Sequence, residues 1–315
     1  MRNRKKTKTK VLTALVICLT LFLAVAASGS AEGEIRELPI DLSGGASYTA
    51  SAMANPEFYE DPTIRVERYQ FVTDSPEYGR VYCFYCLATI QSPAQLRTAA
   101  ADSANFVRGM EAPGSVMAKR VNAVLAINGD FCNTYTKGEG SKYCLRQGTV
   151  FRDTVVDYLD MLLIDEDGNF HVYKGTPELA EQNKEEIDGK KIINAFQFGP
   201  ALVIDGESVE DKYLLDRAHS PWSAEPDNHT ARMCIGQIDG LNYIVFTCWD
   251  GMNLVQLRDL VLSITPVKTL YVMDGGNSAQ MIYLKAQINR DDNENGNGRK
   301  IQDIIYFASA YFRDE

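Results

Sequence analysis

Short apolar runs that end at a glycine-bearing polar turn recur along this chain, and no other feature constrains its fold more. Residues 123–127 run into Asn128-Gly129-Asp130, 243–249 into Asp250-Gly251, and 270–273 into Asp274-Gly275-Gly276. Such runs are too short for helices and read as strands. Glycine supplies the positive φ that a tight reversal needs. Several runs also come in pairs around a turn. Residues 161–164 and 170–173 flank Asp165-Glu166-Asp167-Gly168-Asn169, and 233–238 and 243–248 flank Asp239-Gly240. Residues 65–72 and 81–90 flank a turn-rich stretch over 73–79, and 201–204 precedes Asp205-Gly206. Local hairpins of this kind pair strands antiparallel. The expectation is an α+β fold, a single mixed, largely antiparallel sheet domain with a few packed helices, rather than a doubly wound one. No internal repeat is visible.

Two helix starts carry a mechanism. Asn253 precedes Leu254, Leu257, Val261 and Ile264, an apolar stripe at helical spacing that Pro266 ends. Ser92-Pro93-Ala94-Gln95 has the form of a capping box with proline in the first turn. It predicts a helix running to about Val107. The charged stretch 176–191 reads as a surface helix or loop.

The N-terminus has a different character. Arg2, Arg4, Lys5, Lys6, Lys8 and Lys10 precede an uncharged stretch over 11–27 rich in Leu, Val and Ala. This is the pattern of a signal peptide over 1–27, cleaved near Ala27 or Ala31. The stretch is also at the short edge of a membrane span, so an uncleaved anchor is the alternative. A secreted or cell-surface protein is expected, meeting a membrane only through that segment. Residues 28–63 read as a linker or loosely docked arm and 64–315 as the folded domain. Loss of residues 1–31 removes six basic groups and no acid, moving the formal net charge from −10 to −16. That charge opposes nucleic acid as a partner. An anionic substrate would need positive charge supplied locally by its site.

Six cysteines lie beyond the signal: Cys83, Cys86, Cys132, Cys144, Cys234 and Cys248. Cys83 and Cys86 have redox-motif spacing, yet residues three apart on a strand point to opposite faces. Cys132 and Cys144 are the pair whose disulfide would close a short loop.

A carboxylate beside two glycines can be a solvated turn or the floor of an anion site, because successive N–H groups there form a concave donor surface. Three strand ends of one form favour a shared cleft. Asp274, Asp130 and Asp250 are therefore the candidate catalytic carboxylates. Asn128, Gly275, Gly276, Asn277 and Ser278 at these ends are the candidate contacts to a substrate, with the two glycine N–H groups suited to an anion. Arg232, at the start of a hairpin strand, offers the planar fork that matches phosphate or carboxylate oxygens. No cofactor is expected. The loop Asp291-Asp292-Asn293-Glu294-Asn295-Gly296 opens like a calcium loop, but position 12 is Gln302 rather than Glu, so a solvated hairpin loop is the better reading. With His171, His219 and His229 the only histidines, a multi-histidine metal site is not expected.

The ordered motifs resemble the phosphodiester glycosidase family. They are Asn128-Gly129-Asp130-Phe131, Phe198 to Val203 with Asp205-Gly206, Arg232 with Ile235-Gly236-Gln237, Asp250 to Leu254, and Asp274 to Ser278. Ser92 to Ala99 and Arg299 to Ile304 are similar to its flanks, so the resemblance covers roughly residues 65–310. It departs at Asn277, Ala231 and Met233, where that family carries Gly, Pro and Thr, and this chain lacks an insertion after Gly251. The resemblance implies cleavage of a sugar-1-phosphodiester by an exported enzyme, with a phosphorylated sugar or glycan as its partner and Asp274 and Asp130 as acid/base or nucleophile. Two rivals are a non-catalytic glycan-binding or envelope-assembly protein of the same fold, and a metal-dependent phosphoesterase built on Asp130, Asp250 and Asp274.

Overall fold

The structure is a computed structural model. It describes residues 33–48, 54–55, 57–75, 79–131, 142–219, 230–249, 251–289 and 299–313. The signal segment, Cys132, His229, Asp250 and the acidic loop 291–298 lie outside those residues. All strand pairs among the described residues are antiparallel.

Two sheets enclose the main core. The larger has eight strands in the order Glu207–Ser208, Ala201–Ile204, Thr269–Met273, Arg232–Asp239, Asn242–Trp249, Gly79–Ile90, Ile64–Ser75 and Phe58–Asp61. A second runs Ala286–Gln287, Met281–Tyr283, Ala123–Asn128, Asp303–Ala308 and Leu96–Ala100. Alternation sorts their side chains. Met233, Ile235, Val245 and Met273 meet Leu125, Ile127, Met281 and Phe307 in a core shared by the two sheets. The intervening Cys234, Ile244, Phe246 and Val272 face the other way, onto Leu254, Leu257 and Val261 of the Leu254–Ile264 helix. The second sheet's outer side packs on Met117 and Ala118 of the Gly114–Arg120 helix. A third sheet, Phe170–Tyr173, Met161–Asp165, Lys190–Gln197, Cys144–Arg146 and Thr149–Arg152, adds Leu162, Ile164 and Phe196 to the shared core.

The expected hairpins form with the registers their turns dictate: Met161 opposite Tyr173, Cys234 opposite Phe246, and Ile64 opposite Ile90. Asn253 caps its helix, accepting from the Gln256 N–H while Gln256 reaches back to the Asn253 N–H. Cys83 and Cys86 lie on opposite faces, in the helix-side core and the inter-sheet core respectively.

One local expectation fails. The Ser92 capping box opens only the three-residue 3-10 turn Pro93–Gln95, and the chain continues as the strand Leu96–Ala100. Pairing with Asp303–Ala308 overrides the helical propensity of the alanines. Arg97, fully buried, fixes that strand to the N-terminal segment by bonds to Pro39 O, Asp41 O, Asp41 Oδ1 and Ser43 O. Leu38, Ala46 and Tyr48 of this segment are buried, and Gly33–Ile35 pairs with Tyr311–Arg313. In the charged stretch, Pro177–Glu181 is a 3-10 turn, and Glu186–Ile187 pairs back on Lys190–Gln197, a strand whose inner residues are wholly buried.

Candidate active site

Residues 274–280 carry the chain from the end of Thr269–Met273 in the larger sheet to the start of Met281–Tyr283 in the second. This crossing lies beside the end of Ala123–Asn128, because Met281 sits opposite Ile127. Asn128 clips both ends of the crossing. Its Nδ2 donates to Asp274 O at 2.8 Å and its Oδ1 accepts from the Gln280 N–H at 3.1 Å. Buried Gln280 then accepts from the Gly114 N–H at 3.1 Å and donates to Arg299 O at 2.7 Å. Two of the three similar strand ends are thus brought together; the third, at Asp250, lies outside the described residues.

A small cleft opens here, lined by Asn128, Gly129, Asp274, Ser278, Arg299 and Asp303 among others. Asp274 keeps part of its surface open, while the protein packed around it desolvates the carboxyl and pushes its pKa up. The Ser278 hydroxyl, Lys142, Arg299 and the Gly275 N–H pull the other way. Ser278 in turn accepts from Arg299 Nη1 at 3.2 Å. Lys142 is buried, with its ammonium 2.7 Å from Asp130 O and 4.9 Å from the Phe198 ring centroid.

The glycines play a different part from the one expected. The Gly276 N–H donates to Ala231 O at 2.7 Å, so it is committed to the fold rather than aimed at an anion. A β-carbon at Gly275 would lie 2.6 Å from that same carbonyl, which explains why the residue has no side chain. Asn277 is exposed on the turn. Arg232 is buried on the neighbouring strand, with Met233 opposite Met273, and its Nε donates to Met252 O at 2.9 Å. It is not among the described residues that line the cleft.

Asp130 turns inward. It is fully buried, with Oδ1 accepting from Arg146 Nη2 and Oδ2 from the Gln197 N–H, both at 2.7 Å. Arg146 also reaches Asp303 Oδ2, from Nη2 at 3.2 Å and Nε at 3.3 Å, and stacks 4.1 Å over the Phe196 ring. One guanidinium therefore serves two buried carboxylates. Burial pushes the Asp303 carboxyl up to about 6; Arg146 opposes that rise and the Asp130 charge adds to it.

Lys142, Arg146, Arg299 and Asp303 are the residues sequence reasoning did not single out as site residues. A signal existed for two of them, a lone acid opening an apolar strand at Asp303 and a lone base after Cys144-Leu145 at Arg146. Of the histidines, His171 bonds Asp165 Oδ2 at 2.9 Å and His219 stacks on Tyr213, both away from this cleft. Among the described residues, no group of three or more His, Cys, Asp or Glu is placed to hold a metal ion.

Comparison with known proteins agrees with this architecture. Residues 121–308 match the family model described as phosphodiester glycosidase. The fold is similar to the catalytic domain of zebrafish N-acetylglucosamine-1-phosphodiester alpha-N-acetylglucosaminidase, solved auto-inhibited by its pro-peptide. That match has a TM-score of 0.61 at 15% identity and covers 84% of this chain and 87% of that one. A hypothetical protein from Synechocystis is similar at TM-score 0.52 and 11% identity, over 80% of this chain and 62% of that one. No curated protein matches the chain in sequence.

Proposed function

The chain belongs to the phosphodiester glycosidase family, and from that premise we propose that it is an exported hydrolase cleaving a sugar-1-phosphodiester. The substrate class is the N-acetylglucosamine-1-phosphate type, in cell-envelope or exopolysaccharide glycans. The observation that carries this reading is the cleft at the sheet crossing, where the desolvated carboxyl of Asp274 stands within the fields of Lys142 and Arg299. A chain this acidic would repel a phosphodiester elsewhere on its surface, so cations gathered at one carboxyl support an anionic substrate there. Arg299, which lines the cleft, would hold the phosphate, with Ser278 orienting it and the buried Lys142 adding positive charge from behind the wall.

The reaction separates the anomeric carbon from a phosphate oxygen and passes through an oxocarbenium-like centre. Phosphate leaves readily, so the larger demands are charge stabilisation and a well-placed water. An anion bound beside Lys142 and Arg299 offsets their pull on Asp274 and adds to the rise in its pKa. Asp274 then donates to the departing phosphate. Asn128 holds the backbone that carries Asp274.

The test is release of free sugar from UDP-N-acetylglucosamine by the purified chain, with Asp274→Asn alongside. Turnover that falls by roughly 10²–10⁴-fold in the variant supports the reading. Equal turnover in the two, or none in the wild type against any sugar-1-phosphodiester, removes it. Full activity in the presence of a chelator separates this reading from the metal-dependent rival.

A further inference from the structure

We propose that Asp303, rather than Asp130, is the second carboxylate of the reaction, the base that takes a proton from the attacking water. The inference rests on the glycosidase reading above. A second carboxylate must face the substrate, and Asp130 does not, since both its oxygens are used inside the protein. Asp303 lines the same cleft as Asp274 and Ser278. Its Oδ2 is gripped from behind by Arg146. Its Oδ1 lies over Gly129, where even a β-carbon would come within 2.1 Å. The missing side chain at Gly129 leaves this carboxylate its place at the cleft wall.

The charged groups around Asp303 suit it to this work. Arg146, Asp130 and Lys142 act on it directly, and Glu111, Asp274, Arg299 and Lys300 line the cleft it faces. Burial first, and Asp130 after it, raise its pKa to about 6 against the pull of Arg146. A base in that range is ionised at neutral pH yet still holds a proton well enough to take one from water. Asp130 is then a positioning residue, which holds Arg146 in place and sets the basicity of Asp303 through its charge.

The step balances as follows. The water oxygen bonds to the anomeric carbon as that carbon's bond to the bridging oxygen breaks, and the electron pair leaves with the phosphate. The water's proton goes to Asp303, and Asp274 gives one to the phosphate. The products are a free sugar and a phosphomonoester, and the two acids exchange protons with solvent before the next turnover.

The experiment uses the purified full chain, UDP-N-acetylglucosamine, and the variants Asp303→Asn, Asp130→Asn and Asp274→Asn. For Asp303→Asn, kcat should fall roughly 10²–10⁴-fold with KM little changed, and added azide should restore turnover as a glycosyl azide. The wild-type kcat/KM should fall on the acid side with an inflection near pH 6, since Asp303 must be ionised to act. In Asp130→Asn that inflection should move to lower pH, because the charge that raises it is gone. A folded Asp303→Asn with near-wild-type kcat overturns the proposal. So does a wild-type profile without the acid limb, or a limb unmoved in Asp130→Asn, and these hold even if Asp303→Asn does not fold. An active wild type with inactive Asp274→Asn and active Asp303→Asn sinks this inference alone. A wild type inactive on every sugar-1-phosphodiester sinks the reading of function with it.

Discussion

Gly129→Ala is the smallest change that should disturb both the stability and the site of this protein. The backbone at Gly129 lies outside the positive-φ region, so alanine meets no conformational barrier there. The obstacle is contact. An added β-carbon would sit 2.1 Å from Asp303 Oδ1 and 2.4 Å from its Cγ and Oδ2. Carbon and oxygen atoms pack at roughly 3.5 Å, so the carboxylate would have to retreat by more than about 1 Å. Its bonds to Arg146, at 3.2 and 3.3 Å, have no slack to follow it. Unpairing one side of a buried ion pair costs about 3–5 kcal/mol. At about 2–4 °C per kcal/mol for a domain this size, Tm should fall by roughly 10 °C. Calorimetric melts of Gly129→Ala, Asp303→Ala and the double variant provide the assay. With the Asp303 carboxylate gone the clash has no partner, so Gly129→Ala should cost less than about 1 kcal/mol in that background, a clear departure from additivity. A single variant that melts within about 2 °C of wild type, or effects that simply add, would refute the contact argument.

Two further outcomes are expected. Asn253→Ala removes a helix cap and should cost about 1 kcal/mol, seen as a lower midpoint at unchanged m-value in urea. Arg299→Met should raise KM for a sugar-1-phosphodiester by roughly ten- to a hundredfold, the worth of one charge-assisted bond to phosphate, and an unchanged KM would remove Arg299 from the phosphate site.

The legible parts of this fold are those written within a few residues. Asp239-Gly240 and Asp165 to Asn169 fix hairpin registers locally, and Asn253 with Gln256 fixes a helix start. The Ser92 capping box is just as local and was misleading, because the fate of residues 96–100 is decided by a strand that begins at Asp303. The site divides the same way. Asp274, Ser278 and Asn128 stand at visible strand ends. The Arg146–Asp303 contact joins residues 157 positions apart, and neither side chain advertises its partner. Glycines beside an acid suggested an anion nest, but only the neighbouring strand reveals that Ala231 takes the Gly276 N–H.

The crossing from Met273 to Met281 has a consequence for how such a site can change. Asp274 hangs from one sheet and Asp303 belongs to the other, so the gap between the two acids is a property of the core that separates those sheets. Packed sheets stand about 10 Å apart, a spacing set by the side chains between them. Met273, Met281, Ile127 and Phe307 touch no substrate, yet they act as the shims of the cleft. Thinner or thicker residues there would retune the reach between acid and base while leaving every group that does chemistry unaltered.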